Sequence, residues 1–142
     1  MTVARILNEK GYDVVTAPPE TSLTEAVATL AEKRIGAVVV VEGEAIRGIL
    51  SERDVVRAIA RHGIEALHLP VSQCMTSNVQ TCEPSESINS VMQTMTSGRF
   101  RHLPVLADGK LAGIVSIGDV VKLRLEEVER EADQIREYIA TA

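Results

Sequence analysis

The chain has no tryptophan, one phenylalanine and two tyrosines in 142 residues. It therefore lacks the aromatic platforms on which single-stranded nucleic acid stacks. Positive charge is also in short supply: 15 Lys and Arg against 20 Asp and Glu leave a net charge of -5 and a pI near 5.2. An acidic, aromatic-poor surface is a poor match for nucleic acid or an anionic membrane. The two cysteines, Cys74 and Cys82, are too few for a disulfide framework or a four-cysteine zinc site. No stretch approaches the roughly 20 apolar residues of a membrane span. Met1 to Leu7 meets Asn8-Glu9-Lys10 before the apolar run of a signal peptide could form. A cytoplasmic protein with reduced thiols is expected.

Familiar reaction motifs are absent too. There is no G-x-S-x-G, no P-loop and no G-x-G-x-x-G. Neither Asp54 nor Asp119 has beside it the nucleophile and base of a triad. His62, His68 and Cys74 are spaced 6 and 6 residues apart, which fits no common metal-ligand pattern.

What is present is an ordinary folding composition, 45% apolar and 25% charged, in a chain long enough for a real core. It is also a repeated one. Val14 to Ala60 lies on Val79 to Leu125 at a constant shift of 65 with no gap. Thr16 falls on Thr81, Pro19 on Pro84, Ser22 on Ser87, Arg34 on Arg99 and Ser51 on Ser116. Gly48-Ile49 meets Gly113-Ile114, and Asp54-Val55-Val56 meets Asp119-Val120-Val121. A match that runs through loops as well as elements marks a structural repeat.

Each copy starts with a short β-rich run, Val14–Ala17 or Val79–Cys82, and passes through a proline into a helix. Ser22 and Glu25 form a capping box, and Leu23, Ala26, Val27, Leu30 and Ala31 recur at helical period. Ile88, Val91, Met92 and Met95 repeat that stripe. Two apolar strands follow, turning at Glu42-Gly43-Glu44 and at Asp108-Gly109, and a second helix begins after Ser51 and Ser116. The fold class is α+β: two β-α-β-β-α repeats, packed sheet to sheet because one alone cannot bury both faces of its sheet. The expected boundaries are a first repeat with its lead segment at 1–62, a connector at 63–78, and a second repeat at 79–142.

The last helix outruns its counterpart. Val121, Leu125, Val128, Ala132, Ile135 and Ile139 are spaced 4, 3, 4, 3 and 4, a heptad seam with charged residues off it. The seam fits self-association; an amphipathic helix lying on its own domain is the other reading.

Chemistry concentrates where a strand hands over to a helix, at Ser51-Glu52-Arg53-Asp54 and Ser116-Ile117-Gly118-Asp119. Hydroxyl and carboxylate there project from one helix N-terminus, beside exposed N–H groups and the positive dipole end. A carboxylate in that setting suits the neighbouring hydroxyls of a ribose. Ser-x-x-Asp is also a plain capping box, so the recurrence in register is what favours a ligand. Arg99, Arg101 and His102 form a local basic cluster before the middle strand of copy two, fit for phosphate. Copy one has Gly36 and Ala37 where copy two has Arg101 and His102, so the clefts differ in charge.

The repeat, its Gly-Ile-x-Ser-x-x-Asp ends and the run His102-Leu103-Pro104-Val105 resemble the tandem cystathionine β-synthase (CBS) domain pair, or Bateman module. The resemblance covers nearly the whole chain. It implies a pseudo-two-fold pair of repeats whose clefts bind AMP, ADP, ATP, NAD(H) or S-adenosylmethionine. On that basis Ser51 and Asp54 would hold one ribose, and Ser116 and Asp119 the other. Ile49 and Ile114 would line the adenine pockets, with Ile35, Gly36 and Ala37 helping in the first. Arg101 and His102 would face phosphate in the second. The segments entering the repeats, with Val14 and Thr16 in one and Thr76, Val79 and Thr81 in the other, would supply backbone contacts to adenine. Tyr12 and Phe100 are the aromatic candidates for an adenine clamp. Such pairs are commonly attached to an enzyme, channel or kinase; here a stand-alone, non-catalytic homodimeric sensor is expected, acting on a regulated protein that the sequence does not identify. A ligand-free interaction module is the alternative, and an enzyme acting on a nucleotide a more distant one.

Overall fold

The computed structural model describes residues 1–141. Its elements are α1 (Val3–Lys10), β1 (Thr16–Ala17), α2 (Leu23–Lys33), β2 (Ala37–Glu42), β3 (Ala45–Ser51), α3 (Glu52–His62), 3₁₀ turns at Gly63–His68 and Val71–Gln73, α4 (Ile88–Gly98), β4 (His102–Ala107), β5 (Lys110–Ser116) and α5 (Ile117–Thr141). They form two compact units. One comprises Asp13–Gln80 with Gly109–Leu111; the other comprises Met1–Tyr12, Thr81–Asp108 and Ala112 onward.

In the first-repeat unit β1 runs parallel to β2, and β2 antiparallel to β3, from Ala37↔Ser51 to Glu42↔Ala45 with an irregularity at Val40/Val41. The run Ala37–Val40 is buried throughout, as β-branched residues in a covered strand should be. Leu23, Ala26, Val40, Leu50, Ala58, Ala66 and Val71 close the core.

The second-repeat unit keeps the β4–β5 pair, but its entering strand shrinks to one parallel bridge, Cys82↔Val105. Proline explains the loss. In copy one Val39 donates its N–H to the Val15 carbonyl at 3.1 Å. Its counterpart is Pro104, which has no N–H to give. Pairing survives only where donors exist: Cys82 N–H to Pro104 O at 3.0 Å and Leu106 N–H to Cys82 O at 2.8 Å.

The shift of 65 otherwise extends to backbone conformation. Arg34 and Arg99 both close their helices in the left-handed region, at φ 53° and 58°. Glu52 N–H to Gly36 O (3.1 Å) is matched by Ile117 N–H to Arg101 O (2.8 Å). Asp108 and Gly109 both have positive φ, as a tight hairpin turn of the β4–β5 kind requires.

One boundary differs from the sequence reading. The lead segment, grouped by sequence with repeat one at 1–62, packs as α1 in the second-repeat unit, where Val3, Ile6 and Leu7 join its core. The residues read as a connector, 63–78, pack in the first-repeat unit. These two segments are themselves equivalent, now at a shift of 68. Val71 N–H to Thr21 O corresponds to Val3 N–H to Glu86 O, and Ser72 N–H to Pro19 O corresponds to Ala4 N–H to Pro84 O. Each segment also presses a long side chain against an equivalent glycine.

The first turns of α5 bury Val120 and Leu123. At about 100° per residue, Val121, Leu125, Val128, Ile135 and Ile139 fall on the side of the helix away from Leu123, and all five are exposed.

A Cβ at Gly48 would sit 2.5 Å from Met75 Sδ and 2.7 Å from the Thr76 carbonyl oxygen; one at Gly113 would sit 2.7 Å from Leu7 Cδ2. A side-chain end can yield and a paired carbonyl cannot. Gly48→Ala is therefore expected to lose about 2–3 kcal/mol, and Gly113→Ala about half as much, as read by urea denaturation.

Candidate functional site

The carboxylates Asp54 and Asp119 stand at the third residue of α3 and α5, one turn beyond the strand that delivers them. Both complete a capping box. Ser51 N–H donates to Asp54 Oδ2 at 2.8 Å while Asp54 N–H donates to Ser51 Oγ at 3.3 Å. Ser116 N–H donates to Asp119 Oδ2 at 2.9 Å while Asp119 N–H donates to Ser116 Oγ at 3.2 Å. Sequence makes these boxes because a serine ending an apolar strand leaves helix N–H groups unpaired, and a carboxylate three residues on returns the bond.

The remaining valences are used differently. Asp54 is 4% exposed. Its Oδ2 also accepts from the Ser51 hydroxyl at 3.0 Å. Its Oδ1 accepts from the Thr76 hydroxyl at 2.9 Å and from Arg57 Nη1 at 3.4 Å. Asp119 keeps a quarter of its side chain exposed. Its Oδ2 takes Lys10 Nζ at 2.7 Å, and Lys10 Nζ also donates to the Ile114 carbonyl at 3.0 Å. The Lys10 and Ser116 N–H bonds both fall on Oδ2. Burial alone would raise the Asp119 pKa; hydrogen bonds from Lys10 and the Ser116 backbone, with the Lys10 charge, outweigh it and hold the carboxyl below its ordinary value.

The first-repeat unit holds Asp54 and most of the residues expected in its cleft. Ile49 is buried on β3 and pairs with Thr76 through Ile49 N–H to Thr76 O (3.0 Å) and Thr76 N–H to Ile49 O (2.9 Å). Gly36 ties its carbonyl to the start of α3, Ala37 is buried at the head of β2, and Ile35 is half-buried beside them. Val14 is half-buried and Thr16 pairs with Val39. Around Asp119, Ile114 is half-buried on β5. Arg101, exposed, ties its carbonyl to the first residue of α5, and half-buried His102 opens β4.

The segment expected at the second cleft is divided between the units. Thr76 and Val79, expected in the second cleft, belong to the first-repeat unit, and Thr76 serves Asp54. Exposed Thr81 falls in the second-repeat unit. Tyr12 donates its hydroxyl to Asn8 Oδ1, and Phe100 packs against the second-repeat core. Sequence reasoning missed the side-chain roles of Lys10, Thr76 and Arg57. A second register of 68, carried by Thr2-Val3 and Pro70-Val71, relates the two segments but sets Lys10 on Asn78 and Thr76 on Asn8, so it marks neither role.

Cys82 is buried, and burial, then the Glu86 charge, push its thiol up to about 12. Burial and Asp54 likewise raise the Cys74 thiol. Both are protonated at neutral pH and packed as apolar side chains. Among the described residues no group of three His, Cys, Asp or Glu is placed to hold a metal ion, and no helix is long and apolar enough to cross a membrane.

A family model described as CBS domain matches residues 3–61 and 71–126. The mitochondrial CBS domain-containing protein CBSX3 of Arabidopsis thaliana is 32% identical over 97% of this chain and 71% of its own. The crystal structure of the CBS-domain containing protein ATU1752 from Agrobacterium tumefaciens is similar at TM-score 0.85 and 48% identity, covering 87% of this chain and 99% of that one. The CBS domain pair of protein MJ0100, in complex with 5′-methylthioadenosine and S-adenosyl-L-methionine, is similar at TM-score 0.79 and 25% identity, covering 89% and 98%.

Losing a buried carboxylate that accepts four bonds costs more than losing one with a quarter of its side chain exposed. Asp54→Ala should destabilise by about 2–3 kcal/mol and Asp119→Ala by about 1 kcal/mol in urea titrations. Because the folded pKa of Asp119 is depressed, its contribution is complete above the ordinary carboxylate value and lost as pH falls through the lower folded one. The melting-temperature gap between wild type and Asp119→Asn should therefore close at acid pH.

Proposed function

From the premise that this chain belongs to the CBS-domain family, with both repeats matched by the family model, we propose that it is a non-catalytic regulatory module for adenosine-containing ligands. The observation that carries the proposal is the Ser116–Asp119 box: a carboxylate fixed at a helix N-terminus, part exposed, whose cap and Lys10 bonds fall on Oδ2 rather than Oδ1. Oδ1 can accept from a ribose hydroxyl without dismantling the helix cap. Arg101 and His102 supply phosphate contacts, Ile114 lines the adenine side, and AMP, ADP, ATP or NAD(H) are the ligands this arrangement suits. The MJ0100 pair, bound to two adenosine derivatives, supports the same ligand class.

The Asp54 site is a second, unlike cleft. Its carboxylate is sealed by Ser51, Thr76 and Arg57, so a ribose there must displace Thr76 or Arg57. That sealing is what an interaction module with an unused first cleft would also show. Ile35, Gly36, Ala37, Ile49, Val14 and Thr16 line the side of it that would meet adenine, while Thr81 keeps a backbone role in the Asp119 cleft. A regulated protein partner is part of the reading, and the free thiols suit a cytoplasmic location.

A homodimer is part of the reading. The exposed seam of α5 faces away from its own core. In a parallel pair, Arg124 lies opposite Glu129 of a second copy and Glu131 opposite Arg136, complementary at both steps. An antiparallel pair would set Glu129 against Glu129. Ile135→Cys should then cross-link to itself under mild oxidation, and Ile135→Glu with Ile139→Glu should halve the mass found by light scattering. A monomeric wild type refutes the dimer.

A thermal-shift panel on nucleotide-stripped protein tests the ligand class. AMP, ADP, ATP, NADH, S-adenosylmethionine and guanosine controls would be compared on wild type and Asp119→Ala. A ligand at 100 times its dissociation constant stabilises by about 2.7 kcal/mol. Adenosine-selective shifts that shrink in Asp119→Ala are expected. No shift with any of them would leave an interaction module.

A further inference from the structure

The two equivalent carboxylates are closed by unlike groups, and the difference arises in the lead segments. Both segments dock through the same backbone bonds, from Val71 and Ser72 in one and from Val3 and Ala4 in the other. They then diverge. The 3₁₀ turn Val71–Gln73 stops after three residues, and the chain returns as a strand-like stretch in which Thr76 pairs with Ile49. Helix α1 continues for 8 residues, and its last residue is Lys10. So a neutral hydroxyl meets Asp54 while an ammonium meets Asp119, at 2.9 and 2.7 Å.

A vicinal diol is held best by both oxygens of a carboxylate. At Asp119 the Lys10 ammonium and the Ser116 N–H both bond to the same oxygen, Oδ2. A diol that takes both must break the Lys10 bond and leave an ammonium, already partly desolvated at 35% exposure, without its counter-charge. An uncharged nucleoside offers nothing in return. A ligand that brings its own anion does, because the released ammonium can bond to it.

Resting on the adenosine-ligand reading above, we propose that Lys10 is a displaceable cation that makes the Asp119 site selective for phosphorylated adenosine ligands over the bare nucleoside. At the Asp54 site Thr76 takes the short bond at 2.9 Å, and the cation there, Arg57 of the same helix, stands off at 3.4 Å with most of its side chain exposed, so its displacement strands less charge. Lys10 thereby acts on ligand choice from outside both repeats' Ser-x-x-Asp motifs.

Isoleucine methyl NMR separates the two sites, since Ile114 reports on Asp119 and Ile49 on Asp54. Protein labelled at isoleucine δ1 methyls would be titrated with adenosine and with AMP, in wild type, Lys10→Met and Lys10→Arg. Met keeps the length and helix propensity of the exposed α1 terminus, and the amide spectrum checks that the fold is kept. One charge-assisted hydrogen bond exchanged corresponds to about tenfold in affinity. The expected result is an AMP preference at Ile114 that falls by about tenfold in Lys10→Met, with adenosine binding tighter than in wild type, and that persists in Lys10→Arg. The ratio at Ile49 should stay unchanged. An unaltered ratio at Ile114 in Lys10→Met, or an equal change at both reporters, overturns the proposal while leaving nucleotide binding intact. If neither methyl responds to either ligand in wild type, the adenosine reading itself falls, and this inference with it.

Discussion

The rest of the structure hangs on a carboxylate that does two jobs at once. Asp54 and Asp119 each return a hydrogen bond to the serine that ends a strand, so each fixes the angle at which a helix leaves its sheet. Each also holds the segment that docks from elsewhere in the chain, through Thr76 or Lys10. Remove the carboxylate and both the cap and the dock lose a partner. The serine cannot substitute, because its hydroxyl is already accepting from the helix.

Much of this was legible in the sequence because the repeat is gap-free. A constant shift of 65 transfers one copy's helix caps, hairpin turn and strand–helix junction onto the other, and the structure repeats them down to the left-handed Arg34 and Arg99. The junction motif was legible for a physical reason: Ser and Asp three residues apart have few better arrangements than a capping box. The third strand of copy two was less so. The β-rich look of Val79–Cys82 describes what that segment could do; whether it pairs is decided by Pro104 on its neighbour. Single-segment propensity does not contain the partner's missing donor.

The lead segments were not legible. Sequence order places residues 1–12 beside the first repeat, and nothing local says otherwise. Their equivalence to residues near Val71 rests on backbone bonds, which any side chain allows, and on one large apolar contact apiece, Leu7 on Gly113 and Met75 on Gly48. A contact that asks only for bulk against a glycine leaves little trace in residue identity. The few additional residues that α1 carries hide the register further, and they deliver Lys10.

That difference explains why the two carboxylates differ in exposure. A hydroxyl can be buried beside a carboxylate at modest cost, since one bond satisfies its hydrogen and little hydration is lost. Thr76 can therefore lie close over Asp54, and the site closes to 4% exposure. An ammonium has three hydrogens and a strong hydration shell. Lys10 satisfies two of them at Asp119 and the Ile114 carbonyl, and the third needs water. A lysine in that place holds its site part open, whatever else lines it. The choice of Lys over Thr at the end of a docked segment thus sets both the charge that guards the carboxylate and the access a ligand has to it.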